Sequence, residues 1–282
     1  MSLTFLAVHA HPDDEASSSG GVLAALAREG VRTVVVTCTN GECGDDPRGV
    51  KPLDDSHDGE SVAQIRAREL DQAVEILGVS RLERLGYRDS GMMGWPHNDD
   101  PRCFWRCDVD DAARRLAAIV LEERPQVVMT YNEYGFYGHP DHIMANTVTR
   151  AMLELIDYEP TLVYNAIPSS VMAMFQERWA AEDARRREEA LARGEEPEPM
   201  SEDEDRDLST PDELVDIAVD VSAVSHLKRA ALLAHASQLG DSFFGSMSED
   251  EFRAAMGREW FVRATNPLGL DRVSDDLFAG YR

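Results

Sequence analysis

The sequence predicts an α/β protein: a Rossmann-like, mostly parallel sheet with helices on both faces. Two observations carry this. Short β-branched runs alternate with longer segments of helical periodicity through the first half of the chain, an order that builds a parallel sheet from crossover units. In addition, two tetrads, His11-Pro12-Asp13-Asp14 and His139-Pro140-Asp141-His142, each follow a strand-like run and open a helix-like one. An open α/β sheet gathers its ligand site at the carboxyl ends of its strands, so both tetrads are expected on one edge.

The elements follow in order. Residues 3–9 are an apolar run and read as a buried strand. Over residues 18–29, Val22, Leu23, Leu26 and Ala27 recur at helical spacing, and Gly30 stops the helix. Residues 31–39 are continuous and β-branched, the pattern of a strand covered on both faces. Residues 40–60, rich in Gly, Asp and Pro, are a loop; residues 61–77 carry Ile65, Leu70, Ala73, Val74 and Leu77 on one helical side. A short strand at 81–85 leads into a long irregular loop, 86–107, of a length that in a compact domain signals function. A helix is expected at 109–123, a strand at 126–131, and a helix from the second tetrad to about residue 155. Beyond lie a strand (161–165), a helix (169–193), a strand (214–221), a helix (222–238) and a strand (260–263). Residues 194–212 are acidic and poor in apolar side chains, and read as a mobile insertion in one domain spanning 1–282.

The formal net charge of −25 over 282 residues disfavours nucleic acid and anionic membrane surfaces as partners. It suits a neutral or cationic small molecule. No apolar run approaches the ~18 residues of a membrane span, and no basic segment precedes the first strand, so no signal peptide is expected. Cys38, Cys43, Cys103 and Cys107 are too few and too irregular for a disulfide framework. The expectation is a cytoplasmic protein with reduced thiols, free of nucleic acid and membrane, as a monomer or a homo-oligomer.

The tetrads carry the chemistry. With Pro140 as first helical residue, its missing N–H costs nothing, and His139 and His142 project to one side. His11 and Asp14 have the same spacing. Together His11, Asp14 and His142 make a set of two imidazoles and one carboxylate that suits Zn2+ or Fe2+ and leaves a coordination position for water. Asp13, His139 and Asp141 then stand beside the ion as acids and bases. Asp13 can take a proton from water, His139 can donate to an oxyanion, and Asp141 can hold His139 in its tautomer and keep it protonated. Either tetrad alone reads equally as a capped turn; the pair on one edge reads as a site. Cys103 and Cys107, with His97 nearby, are a weak second metal set, unsupported by further thiols.

On these residues the chain resembles the PIG-L/LmbE family of zinc-dependent N-deacetylases, which includes bacterial enzymes of mycothiol and bacillithiol metabolism. Further matches are Thr39-Asn40-Gly41-Glu42, Gly44-Asp45, Arg66 with Glu69, Asp89-Ser90-Gly91-Met92, Tyr137-Gly138, and Ala234-His235-Ala236-Ser237-Gln238. The resemblance implies an LmbE-like fold and hydrolysis of an amide on an N-acylated amino sugar, an N-acetylglucosaminyl conjugate or a mycothiol S-conjugate. It implies His11, Asp14 and His142 as metal ligands, Asp13 as general base, and His139 with Tyr137 on the oxyanion. Arg66 is implied near the substrate sugar, Asp89 as acceptor of a sugar hydroxyl, and Glu42 as a substrate or supporting acceptor. Met92, Met93 and Trp95 either line a pocket or only pack, and His235 is either a satisfied buried histidine or part of the site. The alternatives are an inactive sugar-binding or regulatory protein on the same fold, a natural-product-tailoring deacetylase, and an iron oxygenase with the same ligands. A nucleotide-binding protein is disfavoured, since no GxGxxG follows the first strand.

Overall fold

Seven strands, β1 (Thr4–His9), β2 (Arg32–Thr39), β3 (Arg81–Tyr87), β4 (Val127–Thr130), β5 (Thr161–Ala166), β6 (Ile217–Asp220) and β7 (Arg258–Arg263), form one sheet. Their order is β3-β2-β1-β4-β5-β7-β6. The structure, a computed structural model, describes residues 3–194, 208–239, 247–270 and 273–282. The first five strands in that order run parallel; β7 is antiparallel to β5 and to β6. The sheet is thus mostly parallel, as expected, with an antiparallel pair added at one edge.

The helices are α1 (Asp14–Arg28), α2 (Gly59–Leu77), α3 (Val109–Glu123), α4 (Gly135–Gly138), α5 (Pro140–Leu153), α6 (Ser169–Ala192), α7 (Ser225–Ala234), α8 (Ala236–Leu239) and α9 (Glu249–Met256). Strand side chains alternate between faces, and β1 shows how both faces are covered. Phe5 and Ala7 pack with Val22, Leu23 and Leu77 of α1 and α2, whereas Leu6 and Val8 pack with Leu116, Ala145 and Val148 of α3 and α5. Because both faces are buried, β1 carries no polar residue between Thr4 and His9. No helix of the described residues is long and apolar enough to cross a membrane.

The sequence reading needs three corrections. The first helix begins at Asp14 rather than near Ser18, so the tetrad itself opens it. The strand expected over 214–221 is confined to Ile217–Asp220, after a 3-10 turn at Asp212–Leu214. The helix expected over 222–238 is interrupted: a 3-10 turn at Ser222–Val224 leads into α7, and His235, at φ −81° and ψ 52°, breaks the helix before α8. Most of the acidic stretch, residues 195–207, lies outside the described residues.

The antiparallel pair is bolted to α1. Glu259 of β7 accepts the N–H groups of Gly21 (2.8 Å) and Val22 (2.9 Å) and the Lys228 ammonium (2.6 Å). All of this is buried. The approach needs a residue without a side chain: a Cβ on Gly21 would lie 2.5 Å from Val221 and 2.8 Å from Glu259 Oε1.

Candidate active site

Both tetrads lie at the carboxyl edge of the sheet, one after β1 and the other after β4. His139 is the N-cap of α5, and Pro140 occupies its first turn. Tyr131, directly after β4, ties the two corners together. Its hydroxyl accepts the Ala10 N–H (2.9 Å), and its ring stacks on His142 with centroids 4.0 Å apart. Nothing in the sequence pattern marks Tyr131, which reads as the last residue of a strand.

Three donor atoms close a small triangle. His11 Nδ1 is 3.3 Å from His142 Nε2 and 3.4 Å from Asp14 Oδ2, and the last two are 3.6 Å apart. Tetrahedral zinc with bonds of about 2.0–2.1 Å holds its ligand atoms about 3.3–3.4 Å apart, so the triangle fits a divalent cation. Two looser groupings also lie within 4.8 Å: His11, His139 and His142, and His11, Asp89, His139 and Asp141. Every such grouping contains His11, and among the described residues none includes a cysteine. All four thiols are free.

The electrostatics suit a cation. Burial alone would raise the Asp14 carboxyl, but His142 and His11 override it and hold it well below the usual carboxylate range. Burial pushes His142 down to about 4, against the pull of Asp14, so its ring is neutral and able to ligate. His11 is raised well above an ordinary histidine despite its burial, by Asp89, Asp14 and Asp141. Its Nε2 faces Asp141 Oδ2 at 3.2 Å and Asp89 Oδ1 at 3.6 Å, the carboxylate backing that orients a ligating imidazole.

Asp13 is the N-cap of α1 by position, yet its side chain caps nothing. Its φ of 125° is one that side-chain-bearing residues rarely adopt. The Asp13 N–H is held by Glu15 Oε2 (3.0 Å), and the carboxylate is held by Arg66 Nη2 (3.0 Å). Burial raises the Asp13 carboxyl to about 6, against the opposing charge of Arg66. Arg66 also donates to the carbonyls of Pro12 (2.7 Å) and Gly41 (2.9 Å). Gly41, at φ 76°, leaves room for it, since a Cβ there would meet the guanidinium at 2.5 Å. Arg66 therefore lines the pocket, as expected of a substrate residue, but its donors are largely spent on Asp13 and the backbone.

A cavity of about 180 Å³ opens over these groups, bounded by Asp13, Arg66, Asp89, Tyr137 and His139, with Met92 and Trp95 as its apolar wall. Met93 points out to solvent. Tyr137 faces His142 and His139, with ring centroids 4.8 and 5.9 Å away.

One assignment changes and one open reading closes. Asp141 was expected to hold His139 and keep it protonated. Its carboxylate instead faces His11 and accepts both the N–H (2.9 Å) and the hydroxyl of Ser90. His139 Nδ1 accepts the Asp141 N–H (3.1 Å), and burial, with His11 beside it, pushes His139 down to about 2. The ring is neutral, with its proton on Nε2. Glu42, read as either a substrate or a supporting acceptor, takes the supporting place: it is turned behind Asp89, whose N–H it accepts at 2.9 Å, while its other oxygen takes the Asn40 amide at 3.1 Å. Asp89 does line the cavity, with Oδ1 on the Gly91 N–H and Oδ2 on the Cys43 N–H. Ser90, within Asp89-Ser90-Gly91-Met92, and Glu15, directly after the first tetrad, are further site residues that the sequence did not single out.

The fold and the donor set define a candidate metal centre at the carboxyl edge of the sheet, with acid–base side chains beside it. The chain belongs to the PIG-L family: the family model described as GlcNAc-PI de-N-acetylase matches residues 6–153, from β1 to the end of α5. Over nearly its whole length the chain is also similar to proteins named 1D-myo-inositol 2-acetamido-2-deoxy-α-D-glucopyranoside deacetylase. The one from Geodermatophilus obscurus is 39% identical over 98% of this chain and 97% of the relative. The one from Acidothermus cellulolyticus is 40% identical over 99% and 96%. Among solved structures, the N,N'-diacetylchitobiose deacetylase of Pyrococcus horikoshii shares the fold, with a TM-score of 0.54 at 20% identity, over 86% of this chain and 73% of that one.

Proposed function

We propose that the protein removes the acetyl group from 1D-myo-inositol 2-acetamido-2-deoxy-α-D-glucopyranoside, using a divalent cation held by His11, Asp14 and His142. The observation that carries the metal chemistry is the donor triangle, with edges of 3.3, 3.4 and 3.6 Å. The two imidazoles and one carboxylate suit zinc first, and Fe2+ by the same donors. Identity near 40% along the whole chain to deacetylases of that glycoside supports the substrate. The free thiols support a reducing, cytoplasmic setting.

The cation, when bound, supplies Lewis acidity to the amide carbonyl and to the attacking water. Asp13, raised to about 6, is a base poised near neutral pH; it takes the proton of that water and returns it to the departing amine. His139, neutral with Nε2–H free to donate, gives a hydrogen bond to the oxyanion, and the Tyr137 hydroxyl gives a second. Asp141 and Ser90 act behind His11, fixing its ring. Asp89, on the cavity wall, accepts a sugar hydroxyl with its remaining lone pairs, and Arg66 keeps Asp13 aimed. The test is release of free amine from the named glycoside by zinc-loaded protein against a chelator-stripped control. No release above the control rejects the reaction; faster turnover of N-acetylglucosaminyl-malate rejects the substrate but keeps the chemistry.

A further inference from the structure

We propose that His235, acting through Glu15, is a positioning residue for Asp13. The inference rests on the reading of Asp13 as the base. His235 lies far along the chain from both tetrads and beyond the residues that the family model matches. It breaks the helix at the end of α7, and its Nε2 meets Glu15 Oε1 at 2.7 Å. Both side chains are buried, at 1% and 0% exposure. The second oxygen of the same carboxylate accepts the Asp13 N–H at 3.0 Å. One carboxylate thus spans the base's own backbone and a histidine from a different element.

The physical need is visible in the backbone. Asp13 sits at φ 125°, a conformation that persists only where its surroundings over-determine it. The Glu15 carboxylate is one of the restraints. Two residues from Asp13 and fully buried, it has no reason of its own to stay in one rotamer. The His235 ring fixes it: His235 Nδ1 has no partner, so Nε2 carries the ring's hydrogen bond and Glu15 receives it. The neighbouring residues dock the segment on other walls. Ser237 donates to Glu69 with its N–H (2.8 Å) and its hydroxyl (2.6 Å), and the Gln238 amide exchanges two hydrogen bonds of 3.1 Å with the Asp45 backbone. The segment therefore stays docked when the His235–Glu15 bond alone is removed, and that makes the positioning role separable from a folding role.

The test uses zinc-loaded full-length His235→Leu, His235→Gln, Ser237→Ala and Asp13→Asn, measuring kcat, KM and bound zinc. A misplacement of about 1 Å at a reacting group costs on the order of 100-fold. His235→Leu is expected to lose at least about tenfold in kcat, with KM and zinc content unchanged. His235→Gln, which restores a donor to Glu15, is expected to recover most of that loss. Ser237→Ala, which loosens the same segment without touching Glu15, keeps kcat within about threefold. Should His235→Leu be insoluble, His235→Ala together with Glu15→Gln carries the same comparison. The inference is overturned if His235→Leu turns over like the parent, if Gln is no better than Leu, or if Ser237→Ala falls as far. Activity in Asp13→Asn overturns the base reading itself, whereas a dead Asp13→Asn beside a fully active His235→Leu removes only the role of His235.

Discussion

The buried Arg66 and the partly exposed Asp13 form an ion pair, Nη2 to Oδ2 at 3.0 Å, in which the guanidinium is anchored by the carbonyls of Pro12 and Gly41 as well as by the carboxylate. Its position is set by the backbone, so the charge at Asp13 is a fixed feature of the site. Burial raises Asp13 to about 6 even with that charge present. Removing it takes away the largest influence opposing burial and the Asp14 carboxylate, leaving His235 and His11, and the Asp13 carboxyl rises further. In the proposed reaction Asp13 works deprotonated, so activity falls as pH drops through its pKa, and a higher pKa brings that fall at higher pH. A pH profile of kcat/KM should show the acidic limb of Arg66→Met displaced upward from the parent's, with Arg66→Lys between the two. An unmoved limb would separate Arg66 from the base.

The donor triangle makes a prediction about stability as well as turnover. A cation that binds the folded chain and not the unfolded one stabilises it by about 2.7 kcal/mol at 100 times its dissociation constant. Added zinc should therefore raise the Tm of the parent by several degrees and leave that of His142→Ala unmoved. Elemental analysis of the same samples should find about one zinc per parent chain and almost none in the variant. Retention of the ion by His142→Ala would move the ligand set to the grouping of His11, Asp89, His139 and Asp141.

A third prediction lies at the opposite edge of the sheet, clear of the site. Glu123, at the end of α3, meets Arg32 at 2.5 Å and Arg81 at 2.7 Å, and its side chain is 5% exposed. The hydrogen bond from Arg32, aided by Arg81 and opposed by burial, holds its carboxyl down to about 2. A carboxyl depressed in the folded state stabilises fully above its unfolded pKa, near 4.3, and loses that contribution as pH falls toward the folded value. The stability gap between the parent and Glu123→Gln, measured by urea unfolding, should be constant above about pH 6. It should then shrink steadily between about pH 4 and pH 2. A gap that does not change with pH would mean that the ion pair carries no net linkage.

What the sequence revealed was whatever depends on local pattern. The helix at Val109–Glu123 is found at its expected bounds, because apolar spacing, an Asp108 cap and a following Pro125 agree. Both tetrads are at strand-to-helix corners because their flanking runs differ so sharply in period. What stayed hidden was pairing over distance. Asp141 was assigned to His139, its neighbour, but its carboxylate serves His11 and Ser90, from two other corners of the edge. Tyr131 and Glu15 carry no local signal that they reach His142 or His235. The break at His235 was invisible for the same reason: the alanines around it favour a continuous helix, and the groups that hold the segment, Glu15, Glu69 and the Asp45 backbone, are distant in sequence.

The glycine pair in α1 has a consequence for anyone redesigning this chain. Glycine inside a helix ordinarily invites replacement, since alanine is favoured by about 1 kcal/mol in helix propensity. At position 20 an added methyl would lie 3.2 Å from the stem of the buried Lys228 and in ordinary contact with the Glu15 carbonyl and Leu77, so the sign of the trade there is set by how far Lys228 yields. Position 21 does not tolerate it, because the same methyl would wedge the antiparallel margin of the sheet away from the helix whose first residue is Asp14. A routine thermostabilising substitution would then be transmitted along α1 to the corner that carries His11, Asp13 and Asp14.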